Sequence, residues 1–95
     1  MRSTILRAAM DTINGERQDV YGSPEDSFAL IANFWNIYIW SKFERGQESI
    51  EPEDVAMMMT LFKIAREMNQ YKRDNVIDAA GYLGIYADMN EAVRS

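Results

Sequence analysis

The 95-residue chain has no cysteine and no histidine. The first absence excludes a disulfide framework and any thiolate metal site. The second removes the commonest general base and the commonest zinc ligand, leaving carboxylates, lysine, tyrosine and hydroxyl side chains for any chemistry. Basic residues are also scarce: ten Lys and Arg against fifteen Asp and Glu give a net charge of −5. A duplex nucleic acid needs a basic face to replace phosphate counterions, so that class of partner is not expected. No apolar run approaches the ~20 residues of a membrane span. The start, Met1-Arg2-Ser3-Thr4-Ile5-Leu6-Arg7, lacks the apolar core of a signal peptide. No membrane partner and a cytoplasmic location are the expectation.

The length suits one domain, residues 1–95, that buries roughly 60–65% of the surface its unfolded form exposes. Ser3 can cap a first helix running to about Asn14, with Ile5, Leu6, Ala9, Met10 and Ile13 on one stripe. Asn14-Gly15 ends it, and Glu16 to Gly22 is a connector. Ser23-Pro24-Glu25-Asp26 opens a second helix to about Phe43, with serine as cap and two acids facing the positive end of the dipole. Glu51-Pro52-Glu53-Asp54 repeats that chemistry at the head of a third helix to about Gln70. Its apolar face is read as Val55, Met58, Leu61, Phe62, Ala65 and Met68, with Met57-Met58-Met59 as an adaptable packing surface. A fourth helix runs from about Asp74 to Val93, where Ala79, Ala80, Gly81 and Gly84 offer close approach to another helix. The fold class is all-α, a small bundle of about four helices.

The second helix is apolar on nearly every side. Phe28, Ile31, Trp35 and Tyr38 form one stripe, and Leu30, Phe34, Ile37 and Trp40 another. Such a helix needs cover all round. A monomer this small cannot supply it, so completion by a homodimer or higher oligomer is the expectation.

The chemistry-bearing residues gather on the third and fourth helices. Asp74 reads first as a cap. Asp78 lies between two largely apolar sides, so it must be paired or coordinate a cation. Its partner is either Lys63 or Arg66, or a divalent metal shared with Asp54, Glu51 or Glu53; Mg²⁺ takes such oxygen ligands. Lys63 and Arg66 share one side of the third helix, and with Lys72 and Arg73 they make a basic cluster suited to an anion. Arg17 and Tyr21, in the first connector, can close over such a ligand, Tyr21 by stacking on a base.

The series Arg17-x3-Tyr21-Gly22, Phe28-x2-Ile31-Ala32-x2-Trp35-x2-Tyr38, Asp54-Val55-Ala56-x-Met58-Met59-x-Leu61-x-Lys63-Ile64-Ala65-Arg66 and Asp74-Asn75-x2-Asp78-x-Ala80-Gly81-Tyr82 resembles a family of small phage and prophage proteins of unknown function. More distantly the layout is similar to the MazG-like all-α NTP pyrophosphatases. That resemblance implies Mg²⁺ as cofactor, Glu51, Asp54, Asp74 and Asp78 as metal ligands, and Asp54 and Asp78 as catalytic residues. Arg17, Tyr21, Lys63, Arg66 and Asn75 would then bind the nucleotide. The chain departs from that pattern: the paired-glutamate E-E-x-x-E motif is missing, and Asn75-x2-Asp78 replaces Glu-x-x-Asp. Losing a ligand carboxylate weakens metal binding. Three functions follow as expectations. The leading one is an oligomer that holds a phosphate-bearing nucleotide without turnover, sequestering a host signalling nucleotide. The others are a Mg²⁺-dependent pyrophosphohydrolase and a protein-binding inhibitor of a host enzyme.

Overall fold

Each proline stands at the start of a helix, where its missing N–H costs nothing and its fixed φ fits the first turn. A computed structural model describes residues 2–14 and 24–94. It contains α1 (Arg2–Asn14), α2 (Pro24–Glu44), α3 (Pro52–Asn69) and α4 (Arg73–Arg94). No strand occurs among the described residues. The all-α expectation holds, and the helix ends fall within about one residue of those read from the sequence. The connector of residues 15–23, with Arg17 and Tyr21 in it, lies outside the described residues, as does the Ser23 cap.

Helix α3 is the centre of the packing, with α2 and α4 each lying against it. Both pairs are antiparallel, as their cross-links show. Asn69 donates to the Ser27 hydroxyl at 3.2 Å, the Trp35 indole N–H to the Met58 carbonyl at 2.7 Å, and the Tyr38 hydroxyl to Asp54 at 2.6 Å. As the α2 partner rises in number the α3 partner falls. Lys63 with Asp78 and Glu67 with Asn75 latch α3 to α4 in the same sense.

This central position alters the α3 face read from the sequence. A helix packed on two sides buries two stripes, so Asp54, Ala56, Thr60 and Ala65 are its buried residues. Val55 and Met68 instead lie exposed. Thr60 is buried without strain on hydrogen bonding, because its hydroxyl donates to the Ala56 carbonyl one turn earlier at 2.9 Å. Met57, Met58 and Met59 are all half-buried, as an adaptable packing surface should be.

The fourth helix also differs from expectation. A Cβ added at Gly81 or Gly84 would meet no atom within 4 Å, so no helix among the described residues exploits their small size. On α2, Ile31 is buried and Phe34, Trp35 and Tyr38 are half-buried toward α3. Phe28, Ile37 and Trp40 face outward with about two thirds of their surface exposed. In α1, Ile5, Leu6 and Met10 are exposed as well. No helix among the described residues is long and apolar enough to cross a membrane.

Candidate functional site

The link between α2 and α3 leads to a side chain, Asp54, held by three hydrogen-bond donors. Helix α2 ends in a Schellman turn: the Gln47 N–H reaches the Lys42 carbonyl at 3.2 Å and the Gly46 N–H that of Phe43 at 3.0 Å. Gly46 has φ +94°, the left-handed conformation that favours glycine. The reversal points the Gln47 side chain back at the head of α3. There its amide donates to Asp54 Oδ2 and to the Ser49 carbonyl.

Asp54 is the third residue of α3 and almost wholly buried. Its Oδ2 also accepts the Glu51 backbone N–H at 2.8 Å, one half of a capping box. Its Oδ1 accepts the Tyr38 hydroxyl at 2.6 Å, and the Lys42 ammonium stands 3.8 Å away. Burial by itself drives the Asp54 pKa upward. The hydrogen bonds from Tyr38, Glu51 and Gln47 and the Lys42 charge outweigh it, holding the carboxyl below the ordinary aspartate range. Tyr38 moves the other way: burial first, then its bond to Asp54 and that residue's charge, raise its pKa well above the usual tyrosine value. The result is a closed network that ties the C-terminal half of α2, the turn and the start of α3 together.

The Asp78 site is of a different kind. Its carboxylate pairs with Lys63 at 3.1 Å and retains 45% exposure. Lys63, one of the partners left open by the sequence, is in place against it. Lys63 and Arg66 do share a side of α3: both cations sit over the Phe62 ring, at 5.4 and 5.3 Å from its centroid. Asn75 is buried, and its amide lies 3.5 Å from Glu67 Oε1. The same oxygen accepts the Lys72 N–H at 2.8 Å, so Glu67 serves the head of α4 from the end of α3. Asp74 falls inside the first turn of a helix that begins at Arg73, exposed, where its charge faces the dipole.

The four carboxylates named for Mg²⁺ do not form one ligand set. Asp78 is level with Lys63, nine positions from Asp54, or about 13 Å of helix. Glu51 is exposed and accepts the Ser49 hydroxyl at 2.9 Å. Both Asp54 oxygens already hold protein donors. Among the described residues no three acidic side chains are grouped as a metal site. The residues present therefore do not fit the ion as a tight oxygen cage within one chain.

Beside the α3–α4 contact runs an open groove of about 440 Å³. Ile64, Met68, Val76, Ala79, Ala80 and Leu83 make its apolar walls, with Lys63, Glu67 and Asn75 on the margin. Ile64, Met68, Val76 and Leu83 are exposed. Sequence reasoning did not single out this groove, nor Tyr38, Gln47 and Glu67 as polar partners. The Glu51-x-x-Asp54 spacing signalled the cap, but nothing local links Asp54 to a tyrosine sixteen residues earlier.

The family description "Domain of unknown function (DUF6378)" matches residues 4–90. The chain is similar to the Gene 55 protein of Mycobacterium phage L5, with 45% identity over 87 residues, covering 90% of this chain and 52% of that protein. It is likewise similar to the Gene 55 protein of Mycobacterium phage D29, with 39% identity over 85 residues, covering 88% and 52%. The chain thus spans about half the length of the curated relatives it matches. No solved structure matches it.

Proposed function

The chain belongs to the DUF6378 family, and from that premise we propose that it is a helical protein-binding module that does not hydrolyse nucleotides. The observation that carries this reading is the bare apolar groove along α3 and α4. A groove with aliphatic and methionine walls suits the apolar face of a partner helix, and methionine adapts to the partner's shape. Ala79 and Ala80 on its wall leave room for close approach. The carboxylates suited to metal chemistry are engaged elsewhere, Asp54 in the α2–α3 network and Asp78 with Lys63.

A second reading keeps a small phosphate-bearing nucleotide as the ligand. Lys63 on the groove margin supports it, since a phosphate that displaced Asp78 would gain a charge-assisted hydrogen bond. In that reading the protein holds the ligand intact, as a sequestering agent would. Lys63 is the one cation among the lining residues, which is sparse for a polyphosphate, so we place this reading second. The MazG-like pyrophosphohydrolase comes third, because it needs the metal ligands to gather.

One set of assays separates the three. The chain is incubated with Mg²⁺ and a nucleoside triphosphate panel, products and bound material are chromatographed, and partner capture is compared between wild type and Leu83→Glu. The protein-binding reading predicts unchanged nucleotides and a specific partner lost with Leu83→Glu. Stoichiometric recovery of intact nucleotide, lost in Lys63→Ala, supports the second reading. Mg²⁺-dependent pyrophosphate release that disappears in Asp78→Asn overturns both.

A further inference from the structure

Among the described residues helix α2 packs on α3 along one side, and its other side carries a regular seam. Ala29, Asn33, Asn36, Trp40 and Phe43 recur at spacings of four, three, four and three, the repeat by which one helix meets another. All five are exposed. Phe28 at 65% and Ile37 at 71% exposure border the seam, and Trp40 within it is 67% exposed. We propose that this seam packs antiparallel against the same seam of a second copy, about a two-fold axis at Asn36.

Three observations select a second copy in that orientation. The first is area. The chain exposes 7221 Å², whereas a folded monomer of its 11.0 kDa mass exposes roughly 5,600 Å². That excess is shared among α1, the α3–α4 groove and α2, and on α2 it is made apolar by Phe28, Ile37, Trp40 and Phe43. The aromatic rings of Phe28, Trp40 and Phe43 alone offer roughly 350 Å² of it.

The second observation is the distribution of size along the seam. Small residues lie at its N-terminal end and large rings at its C-terminal end. In a parallel pair Trp40 and Phe43 would meet their own copies while Ala29 faced Ala29 across a gap. The antiparallel pair sets Ala29 against Phe43 and Trp40 against the Ala32–Asn33 step at both ends alike, so the helix axes stay evenly spaced. Asn36 then faces its own copy at the centre. Two asparagine amides can satisfy each other there only in this register, which makes them a device against slippage.

The third observation is charge. Glu25 and Asp26 begin α2, while Arg45 follows its end beside Glu44, Lys42 there being held by Asp54. Antiparallel pairing brings Arg45 of each copy toward the acidic start of the other, and it opposes the two helix dipoles favourably.

The natural absence of cysteine makes the test clean. Single-cysteine variants are oxidised and their masses compared on a non-reducing gel; a disulfide forms only where Cα atoms approach within about 7 Å. Asn36→Cys is expected to give a covalent dimer. Phe43→Cys is expected to stay monomeric alone and to cross-link when mixed with Ala29→Cys. Because Trp40 is largely exposed in its own chain, Trp40→Glu is expected to halve the sedimenting mass while the helical circular dichroism persists. Self-linking of Phe43→Cys overturns the antiparallel arrangement. A wild-type chain that sediments at one chain's mass, with no cross-linking of any variant, overturns the self-association itself.

Discussion

Asp54 is buried with donors on both oxygens, and removing it leaves the Tyr38 hydroxyl, the Gln47 amide and the Glu51 N–H short of an acceptor. Stranding partly buried partners costs more than the net value of one bond. Asp54→Ala should therefore lose about 3 kcal/mol in denaturant unfolding. Asp78 is half-exposed, and breaking its pair with Lys63 in Asp78→Asn should cost under about 1 kcal/mol. Equal losses would contradict the assignment of roles. The pH dependence has a definite sign. The folded-state pKa of Asp54 lies below its unfolded value, so its contribution is fully present above the unfolded pKa of ~3.9. It is lost as pH falls through the lower folded value. Below about pH 4 the wild-type unfolding curve should fall more steeply than that of Asp54→Ala. The sequence exposed part of this and hid the rest. Asp54 was visible as the third residue of a helix start, because capping is local. Its partners on α2 and in the turn were not, because a side chain reaching across helices leaves no spacing to read. That missing context is what made Asp54 resemble a metal ligand.

At the scale of the helices, local chemistry was legible and packing was not. Ser/Pro/acid starts and glycine or polar ends are written over four or five residues, and the helix bounds follow from them. Which face of a helix is covered depends on how many neighbours it has. For α3, with neighbours on two sides, a single apolar stripe was the wrong description: Val55 and Met68 are outside while Thr60 is within. For α2 the uniformly apolar surface was visible from the start, and the structure divides it into a covered and an uncovered side. The glycines of α4 give a direct check on packing within the chain. Nothing lies within 4 Å of a Cβ at Gly84, so Gly84→Ala should gain about 0.5–1 kcal/mol by restricting the unfolded chain and favouring helix. Thermal unfolding read by circular dichroism checks this; a loss of similar size would mean that another chain approaches α4 at that point.

At the scale of the molecule, the fold is open. Its radius of gyration is 16.1 Å, against roughly 12 Å for a compact domain of this length. The fully buried apolar residues among those described are Ile31, Ala56 and Ala65, too few to stabilise a helical domain against chain entropy. Polar latches partly compensate, and no buried side-chain nitrogen or oxygen among the described residues lacks a partner. In the proposed dimer, further stability comes from surfaces that one chain leaves bare, the α2 seam foremost. Sedimentation equilibrium of the wild-type chain measures this most directly. At about 10 μM, where an interface of standard size is well populated, the account predicts a mass of twice 11.0 kDa, with cooperative unfolding whose midpoint rises with protein concentration. A single mass of 11.0 kDa up to ~100 μM, with a concentration-independent midpoint, would contradict it.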